Sequence, residues 1–147
     1  MREIKFRALS MCKGEHWLYG DLRHYNRNPH TEKWTIHDPN TGIETDIDET
    51  TVGQFTGCYD KNHSRIFEGD IVECVSWNEY FSKDGQPMEP FRRKMYVDFR
   101  KGGFKMVEPM PEPMKDNEWD IIFNGDIVII GNIYDNPELI DMERLKL

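Results

Sequence analysis

The fold is decided by the stretch Thr51-Val-Gly-Gln-Phe-Thr-Gly57, which is followed by Ile66-Phe-Glu-Gly-Asp-Ile-Val72. Both segments place turn-forming glycines beside short β-branched and aromatic runs, a pattern typical of strands joined by tight turns. Near the C-terminal end, Gly131-Asn-Ile-Tyr-Asp-Asn-Pro-Glu-Leu139 changes from strand-like to helix-like sequence. The residues expected to shape these turns and starts are Gly53, Gly57, Gly69, Asp70, Gly131, Asn136 and Pro137. The pattern predicts a fold made mainly of strands and indicates no chemical reaction.

Length and composition set the class of protein. A chain of 147 residues can form one domain or two small ones, and its eight Phe, six Tyr and four Trp exclude a disordered chain. No apolar run approaches the ~20 residues that span a bilayer, and the alternating N-terminal sequence predicts no signal peptide. Three widely spaced cysteines argue against a disulfide framework and favour the cytoplasm.

Charge is unevenly distributed along the chain. The net charge of −8 argues against a broad nucleic-acid clamp, because such a clamp must neutralise phosphates. Residues 61–105 nevertheless carry nine basic and seven acidic side chains, whereas residues 106–147 carry three basic and ten acidic ones. The negative net charge of the whole chain therefore comes mainly from its C-terminal part, and residues 61–105 are locally basic.

Periodicity predicts the strands and their arrangement. Strands are expected in Ile4–Ala8, His16–Gly20, Lys33–Ile36, Thr51–Phe55, Ile71–Val75, Gly125–Ile130 and the hairpin around Lys101–Gly103. Asp48 is expected to cap one helical turn, and Asn136 a C-terminal helix with Leu139, Met142 and Leu145 on its apolar side. The segment 107–117, with its three prolines, is expected to be an exposed connection or a partner-binding peptide.

These elements favour a small barrel of five or six strands, because closure removes exposed strand edges. The predicted domains are residues 1–49, a β or α+β layer, and residues 50–147, a barrel with the C-terminal helix. Apart from the strand candidate Lys33–Ile36, the insertions 22–47 and 78–93 have no predicted secondary structure.

The chain resembles the YopX family, small proteins of phages and prophages. The resemblance lies in Ile4-Lys-Phe-Arg-Ala8, Tyr19-Gly20, Thr51–Gly57, Asp60-Lys-Asn62, Ile66–Val72, Phe99–Phe104 and Gly131–Leu139. It implies an SH3-type β-barrel and no catalytic residue. The chain departs from the family pattern at Leu9 and Ser10, and at His63, where the family usually has glycine. The turn at His63 is therefore expected to differ, since positive φ is uncommon outside glycine.

A basic hairpin is the candidate binding site that the sequence offers. Its residues are Arg92, Arg93, Lys94, Tyr96, Arg100, Lys101 and Lys105, within residues 92–105. Cations and an exposed tyrosine on one β-ribbon face could contact a nucleic-acid backbone and stack on a base. The alternative is a solvated strand face whose charges balance the acidic tail.

Other chemistry-bearing residues favour structural roles. Asp70 and Asp126 each follow a glycine and are expected to accept backbone hydrogen bonds, although convergence would make an acidic site. The five histidines form no metal motif, and the cysteines have no activating neighbour except His63, five residues after Cys58. Nucleotide-binding glycine loops are absent from the sequence. We therefore expect no metal, no cofactor and no catalytic residue.

Three functional hypotheses follow. The first is a non-enzymatic phage or prophage accessory protein of the bacterial cytoplasm that binds a protein partner or assembles as a homo-oligomer, without a membrane. The second is nucleic-acid association through the basic hairpin. The third, least favoured, is a phage nuclease or hydrolase, which would need a pocket with clustered acids or histidines.

Overall fold

The computed structural model describes residues 2–12, 16–26, 30, 32–76, 91–121 and 126–140. The chain separates into two compact units, Met1–Gly57 and Cys58–Leu147. The described residues are 57% strand and form two antiparallel sheets, which confirms the prediction of a mainly β protein. None of the described helices is long and apolar enough to cross a bilayer. The predicted domain boundary after residue 49 falls ahead of the observed division.

The first unit is built on five strands. They are β1 (Phe6–Leu9), β2 (Trp17–Tyr25), β3 (Lys33–His37), β4 (Glu44–Asp46) and β5 (Gly53–Tyr59), which runs past the division. Their order in the sheet is β4-β3-β2-β1-β5, and β6 (Arg65–Phe67) follows β5. Ala8, Ile36 and Ile47 form the centre of its core. As predicted, Asp48 caps a 3₁₀ turn (Glu49–Thr51), because its carboxylate accepts the Thr50 N–H.

The second unit is built on a five-stranded sheet. Its strands are β7 (Asp70–Ser76), β8 (Phe91–Arg100), β9 (Gly103–Glu108), β10 (Asn117–Asp120) and β11 (Ile127–Asn132). The order is β10-β9-β8-β7-β11, so β10 and β11 are its edges. A second 3₁₀ turn, Pro137–Leu139, follows β11.

Both faces of this sheet are covered in the middle. On one face, Val72, Met95, Val97 and Met106 pack with Ile66 and Ile127. On the other face, Ile71, Tyr96, Val107 and Ile140 form a separate cluster. Successive residues of β7 and β8 are therefore buried alternately in two cores, so a period of two along these strands does not divide buried from exposed side chains.

Asp70, which follows Gly69, and Gly131 both have structural roles. Asp70 is 2% exposed, and its carboxylate accepts the Phe67 N–H at 2.8 Å, as the sequence predicted for a turn aspartate. Gly131 is required by close packing, since a Cβ there would lie 2.5 Å from the Asn136 side-chain oxygen. That oxygen accepts the Asn132 N–H at 3.2 Å.

Asn136 occupies the N-cap position ahead of Pro137, as predicted, and its backbone carbonyl accepts the Leu139 N–H. Its side chain makes no capping bond to the 3₁₀ turn and instead braces the end of β11. The structure describes Pro137–Leu139 as a single 3₁₀ turn, with Pro137 in its first turn, and Met142 and Leu145 of the predicted helix lie outside the described residues.

The predicted closed barrel is not found in the part of the chain that the structure describes. The two sheets are open, with β4, β6, β10 and β11 at their ends. The SH3-type barrel that the family resemblance implies stays a prediction. Strands β4 and β10 were not predicted, because each is short and consists mainly of polar residues that lack strand-like alternation.

The turn at His63 keeps a left-handed backbone. His63 has φ 61°, so this histidine adopts a conformation that glycine reaches without steric cost. Its N–H donates to the Asp60 carbonyl, and the Asp60 carboxylate accepts the Asn62 and Ser64 N–H groups, both at 2.9 Å. These bonds offset the local strain, so this turn does not need the glycine of the family pattern.

Candidate functional site

The predicted basic hairpin is formed by β8 and β9 and closed by Lys101 and Gly102. Both residues have positive φ, 53° and 79°, and Arg100 pairs with Gly103 across the turn. This is the type I′ geometry that matches the right-handed twist of two strands. The turn brings Arg100, Lys101 and Lys105 to one end of the sheet, beside β10.

Arg100 is the centre of an ion-pair network. Its Nε lies 2.9 Å from Asp98, and its Nη1 lies 3.0 Å from Glu118 and 3.7 Å from Asp116. Its Nη2 donates to the Tyr96 hydroxyl at 2.7 Å. Burial opposes the charge, but the hydrogen bonds to Asp98 and Glu118 outweigh it and raise the pKa of Arg100.

Most of the other hairpin cations also have acidic partners. Lys101 lies 3.0 Å from Glu118, and Lys105 contacts Asp120. Arg93 lies 3.3 Å from Glu108, and Arg92 lies 2.9 Å from Glu73. Lys94 is exposed, and the described residues supply it with no ion pair. The positive field expected from this hairpin is therefore largely cancelled by acids on β7, β9 and β10.

Tyr96 does not have the exposure that base stacking requires. Its side chain is 6% exposed and packs with Ile71, Val107 and Ile140. Burial raises its pKa, which keeps the hydroxyl neutral. The expectation of an exposed tyrosine is wrong, because the second core cluster covers the face that the sequence assigned to solvent.

The exposed aromatic side chains of the hairpin region lie on the opposite face. Phe99 is 54% exposed and Trp119 is 37% exposed. Phe99 makes an edge-to-face contact with Phe104, with ring centroids 5.3 Å apart. Trp119 faces Met106 in the sheet register, so Phe99, Phe104 and Trp119 share one face and are called the aromatic patch here. The Arg93 guanidinium lies 5.3 Å from the Trp119 ring.

Sequence reasoning missed this patch for a physical reason. Phe99 and Phe104 continue the alternation of Met95, Val97 and Met106, so they were assigned to the same core. They lie at the turn end of the hairpin, beyond the residues that cover the core. Periodicity identifies the face of a strand but not how far the neighbouring layer extends along it.

Asp70 and Asp126 do not form an acidic site. Asp70 pairs with Asn132 at one end of the β7–β11 ladder, whereas Asp126 precedes Ile127, which pairs with Cys74 at the other end. Asp70 is buried and Asp126 is exposed. Within the described ranges, no group of three or more histidine, cysteine, aspartate or glutamate side chains is placed to hold a metal ion.

The histidines and cysteines occupy separate local settings. His24 lies 2.7 Å from Glu32 and stacks on Trp34 at 3.8 Å, while His37 lies 3.6 Å from Asp21.

Cys58 donates to the Ile121 carbonyl. Burial, together with the charge of Asp126, raises the pKa of Cys74 and disfavours its thiolate.

Comparisons with known proteins identify one family. A family model described as YopX protein matches residues 5–141. No curated protein sequence matches the chain. Among solved structures, the crystal structure of protein EF1440 from Enterococcus faecalis is similar, with 22% sequence identity and a TM-score of 0.49. That match covers 95% of this chain and 99% of the other.

Proposed function

Since the chain belongs to the YopX family, as its motifs predicted, we propose that it is a non-enzymatic accessory protein of a phage or prophage. It acts in the cytoplasm of the bacterial host by binding protein, either a partner or a further copy of itself. Its working surface is the part of the second sheet formed by β8, β9 and β10.

The aromatic patch is the observation that carries this proposal. Phe99 and Trp119 expose large apolar rings on a rigid sheet, and burying such a ring is worth about 1.5–3 kcal/mol. Aromatic residues with a polar surround are typical of the centres of protein–protein interfaces. The ion pairs of Arg93 and Arg100 supply that surround without presenting a strong net charge.

The pairing of the cations favours protein over nucleic acid as the partner. A phosphate would have to displace acids that already contact Arg93, Arg100, Lys101 and Lys105. Binding through a mainly apolar surface depends weakly on salt, whereas phosphate contacts give a steep dependence.

The test is affinity capture from infected host cells with nuclease treatment, together with sedimentation of the purified protein. We expect a nuclease-resistant protein partner or a concentration-dependent oligomer. Either should be reduced about tenfold by Phe99→Ser, since tenfold corresponds to ~1.4 kcal/mol. Met114→Ser is the matched control, because Met114 is 57% exposed but lies in the loop after β9. If the wild type remains a monomer and captures no protein, the proposal is wrong.

Nucleic-acid association is the second candidate, and the exposure of Lys94 is the observation that favours it. Arg100 and Lys101 are poor positions for charge reversal because both contact Glu118. Replacing Arg92 and Lys94 by glutamine leaves that network intact. A salt-dependent mobility shift that this double variant weakens would support the second candidate, whereas no shift of the wild type at low salt would exclude it.

A further inference from the structure

One edge of the second sheet is already occupied. The Lys61 N–H donates to the Ile127 carbonyl at 2.9 Å, and the Asp60 carboxylate accepts the Ile129 N–H at 3.2 Å. These bonds reach β11 from the side away from β7, so the turn after β5 takes the place of a further strand. The pairing of β11 also shifts between Ile129 and Gly131, an irregularity of the kind that blocks edge pairing.

The other edge, β10, has outward-facing backbone groups. The Ile121 N–H donates to the Phe104 carbonyl at 3.3 Å, and Trp119 pairs with Met106 two residues earlier. Because inward and outward groups alternate in an antiparallel ladder, Glu118 and Asp120 direct their N–H and C=O groups away from β9. No described residue bonds to these four groups.

The two faces of β10 differ in chemistry. Trp119 lies on one face and continues the aromatic patch. Glu118 and Asp120 lie on the other, and the Asp120 side chain is 66% exposed although Lys105 contacts it. The compensating cations are Lys105 for Asp120, and Arg100 and Lys101 for Glu118; Lys105 belongs to β9 and Arg100 to β8, strands that are ~5 and ~10 Å farther from the edge. The edge itself therefore presents carboxylates on one face and an indole on the other.

We propose that β10 is the docking site for an extended peptide of the protein partner, in which basic residues alternate with apolar ones. The peptide adds a sixth strand to the sheet and bonds to the backbone of Glu118 and Asp120. Its lysines or arginines lie beside Asp120, the more exposed of the two carboxylates, since Glu118 is only 21% exposed and already contacts Arg100 and Lys101. Its apolar side chains lie beside Trp119. This inference rests on the proposed function and specifies the kind of partner.

Charge disfavours a second copy of the chain at this edge. In a two-fold antiparallel pair of β10 strands, facing residues come from the same face of the sheet. Glu118 and Asp120 would then face themselves or each other, and directly opposed like charges destabilise strand pairing. A foreign basic strand avoids this conflict and gains opposite-charge pairs.

Amide hydrogen exchange with a synthetic octapeptide that alternates lysine and valine tests the proposal on the full chain. We expect the amides of Glu118 and Asp120 to exchange about tenfold more slowly with the peptide, because they gain acceptors. The amides of Asn117 and Trp119 already bond to β9 and should change less. A peptide with glutamate in place of lysine, and one with four lysines followed by four valines, should have no such effect.

Two variants of one residue separate backbone pairing from charge. Asp120→Ala removes the carboxylate but keeps the outward N–H, whereas Asp120→Pro removes both and is tolerated on an edge strand. We expect Asp120→Ala to weaken peptide binding by no more than about fivefold and Asp120→Pro to abolish it. Circular dichroism and the exchange pattern of β7 and β8 confirm that each variant is folded.

Different results would contradict the docking site and the proposed function. Absence of added protection at Glu118 and Asp120, or equal binding by the two folded variants, would overturn the docking site. Protection that rises with protein concentration without peptide would assign the edge to a second copy instead. If host capture recovers the same partner with Asp120→Pro as with wild type, the docking site is wrong while the proposed function stands. If neither captures a partner or self-associates, the proposed function fails.

Discussion

The middle and the turn end of the β8–β9 hairpin are built differently. In the middle, Met95 and Tyr96 are consecutive, point to opposite faces and are both buried. Near the turn, Phe99 and Arg100 are also consecutive, but Phe99 is exposed and Arg100 is held by acids. One pair of strands thus contributes to two cores at its centre and presents a surface at its end.

The residues that stabilise the fold and the residues of the candidate interaction surface therefore lie at different positions along one hairpin. Side chains in the middle have neighbours on both sides of the sheet, so their loss leaves cavities. Side chains at the end face solvent or exposed charges, so they can be replaced without unfolding the protein. The candidate interaction surface lies where the second sheet extends beyond its cores, which gives it rigid support at low cost to folding.

The largest expected effect comes from alanine in the middle. Met95→Ala and Ile71→Ala should each lower the free energy of unfolding by about 2–5 kcal/mol, because each residue is 2% exposed or less. Phe99→Ala should cost no more than about 1.5 kcal/mol, the value of its aromatic contact with Phe104. Urea denaturation of the three variants measures these changes in the free energy of unfolding.

The pair Met95 and Ile71 also tests whether both faces are core. If Ile71→Ala costs no more than Phe99→Ala, the face of Tyr96 is not a second core, and the contrast between middle and end is lost.

The sequence predicted the strands that contribute apolar side chains and failed where polar residues make strands. Ile71–Val75 and the Lys101–Gly103 turn were predicted because β-branched runs and turn glycines act locally. Strand β10, Asn-Glu-Trp-Asp, was missed because its hydrogen bonds to β9 and its ion pairs to Arg100 and Lys105 are tertiary.

The candidate site was predicted only in part, for the same reason. The sequence located the cations of the hairpin correctly but not their partners, since Glu118 and Asp120 come from a strand that was not predicted. The sequence predicted an exposed Tyr96 and a buried Phe99, whereas the structure has Tyr96 buried and Phe99 exposed. Alternation along one strand contains no information about which layers cover each face.

A smaller effect is expected from Tyr96→Phe, at the border between the middle and the end. The Tyr96 hydroxyl accepts a hydrogen bond from Arg100 at 2.7 Å, so removing it should cost about 1–2 kcal/mol. Tyr25→Phe is the matched control, because the Tyr25 hydroxyl bonds to Glu44 at the same distance but in an exposed position. The control should cost no more than about 0.5 kcal/mol by urea denaturation. Equal losses of unfolding free energy in the two variants would show that the Tyr96 hydroxyl is as solvated as that of Tyr25.

The raised pKa of Tyr96 predicts a loss of stability in alkali. Burial raises its folded-state pKa above the usual 10, so above pH 10 the unfolded chain releases this proton more readily than the folded one. The contribution is fully present below pH 10 and declines as the pH rises through the folded-state pKa. The decline should be smaller in Tyr96→Phe than in wild type, as measured by urea denaturation across the alkaline range. An unchanged alkaline profile in the variant would place Tyr96 in solvent.

The smallest effect is expected at the turn itself. Lys101 has φ 53°, a conformation that asparagine tolerates better than lysine at the first central position of a type I′ turn. Lys101→Asn should therefore raise the free energy of unfolding by up to about 1 kcal/mol, reduced by loss of the exposed ion pair with Glu118, which is worth less. Lys101→Val is the control and should be destabilising by about 1–2 kcal/mol, because a β-branched residue opposes positive φ. If both variants unfold at the same urea concentration as the wild type, turn geometry does not position Arg100 and Phe99, and the end of the hairpin is organised by its ion pairs alone.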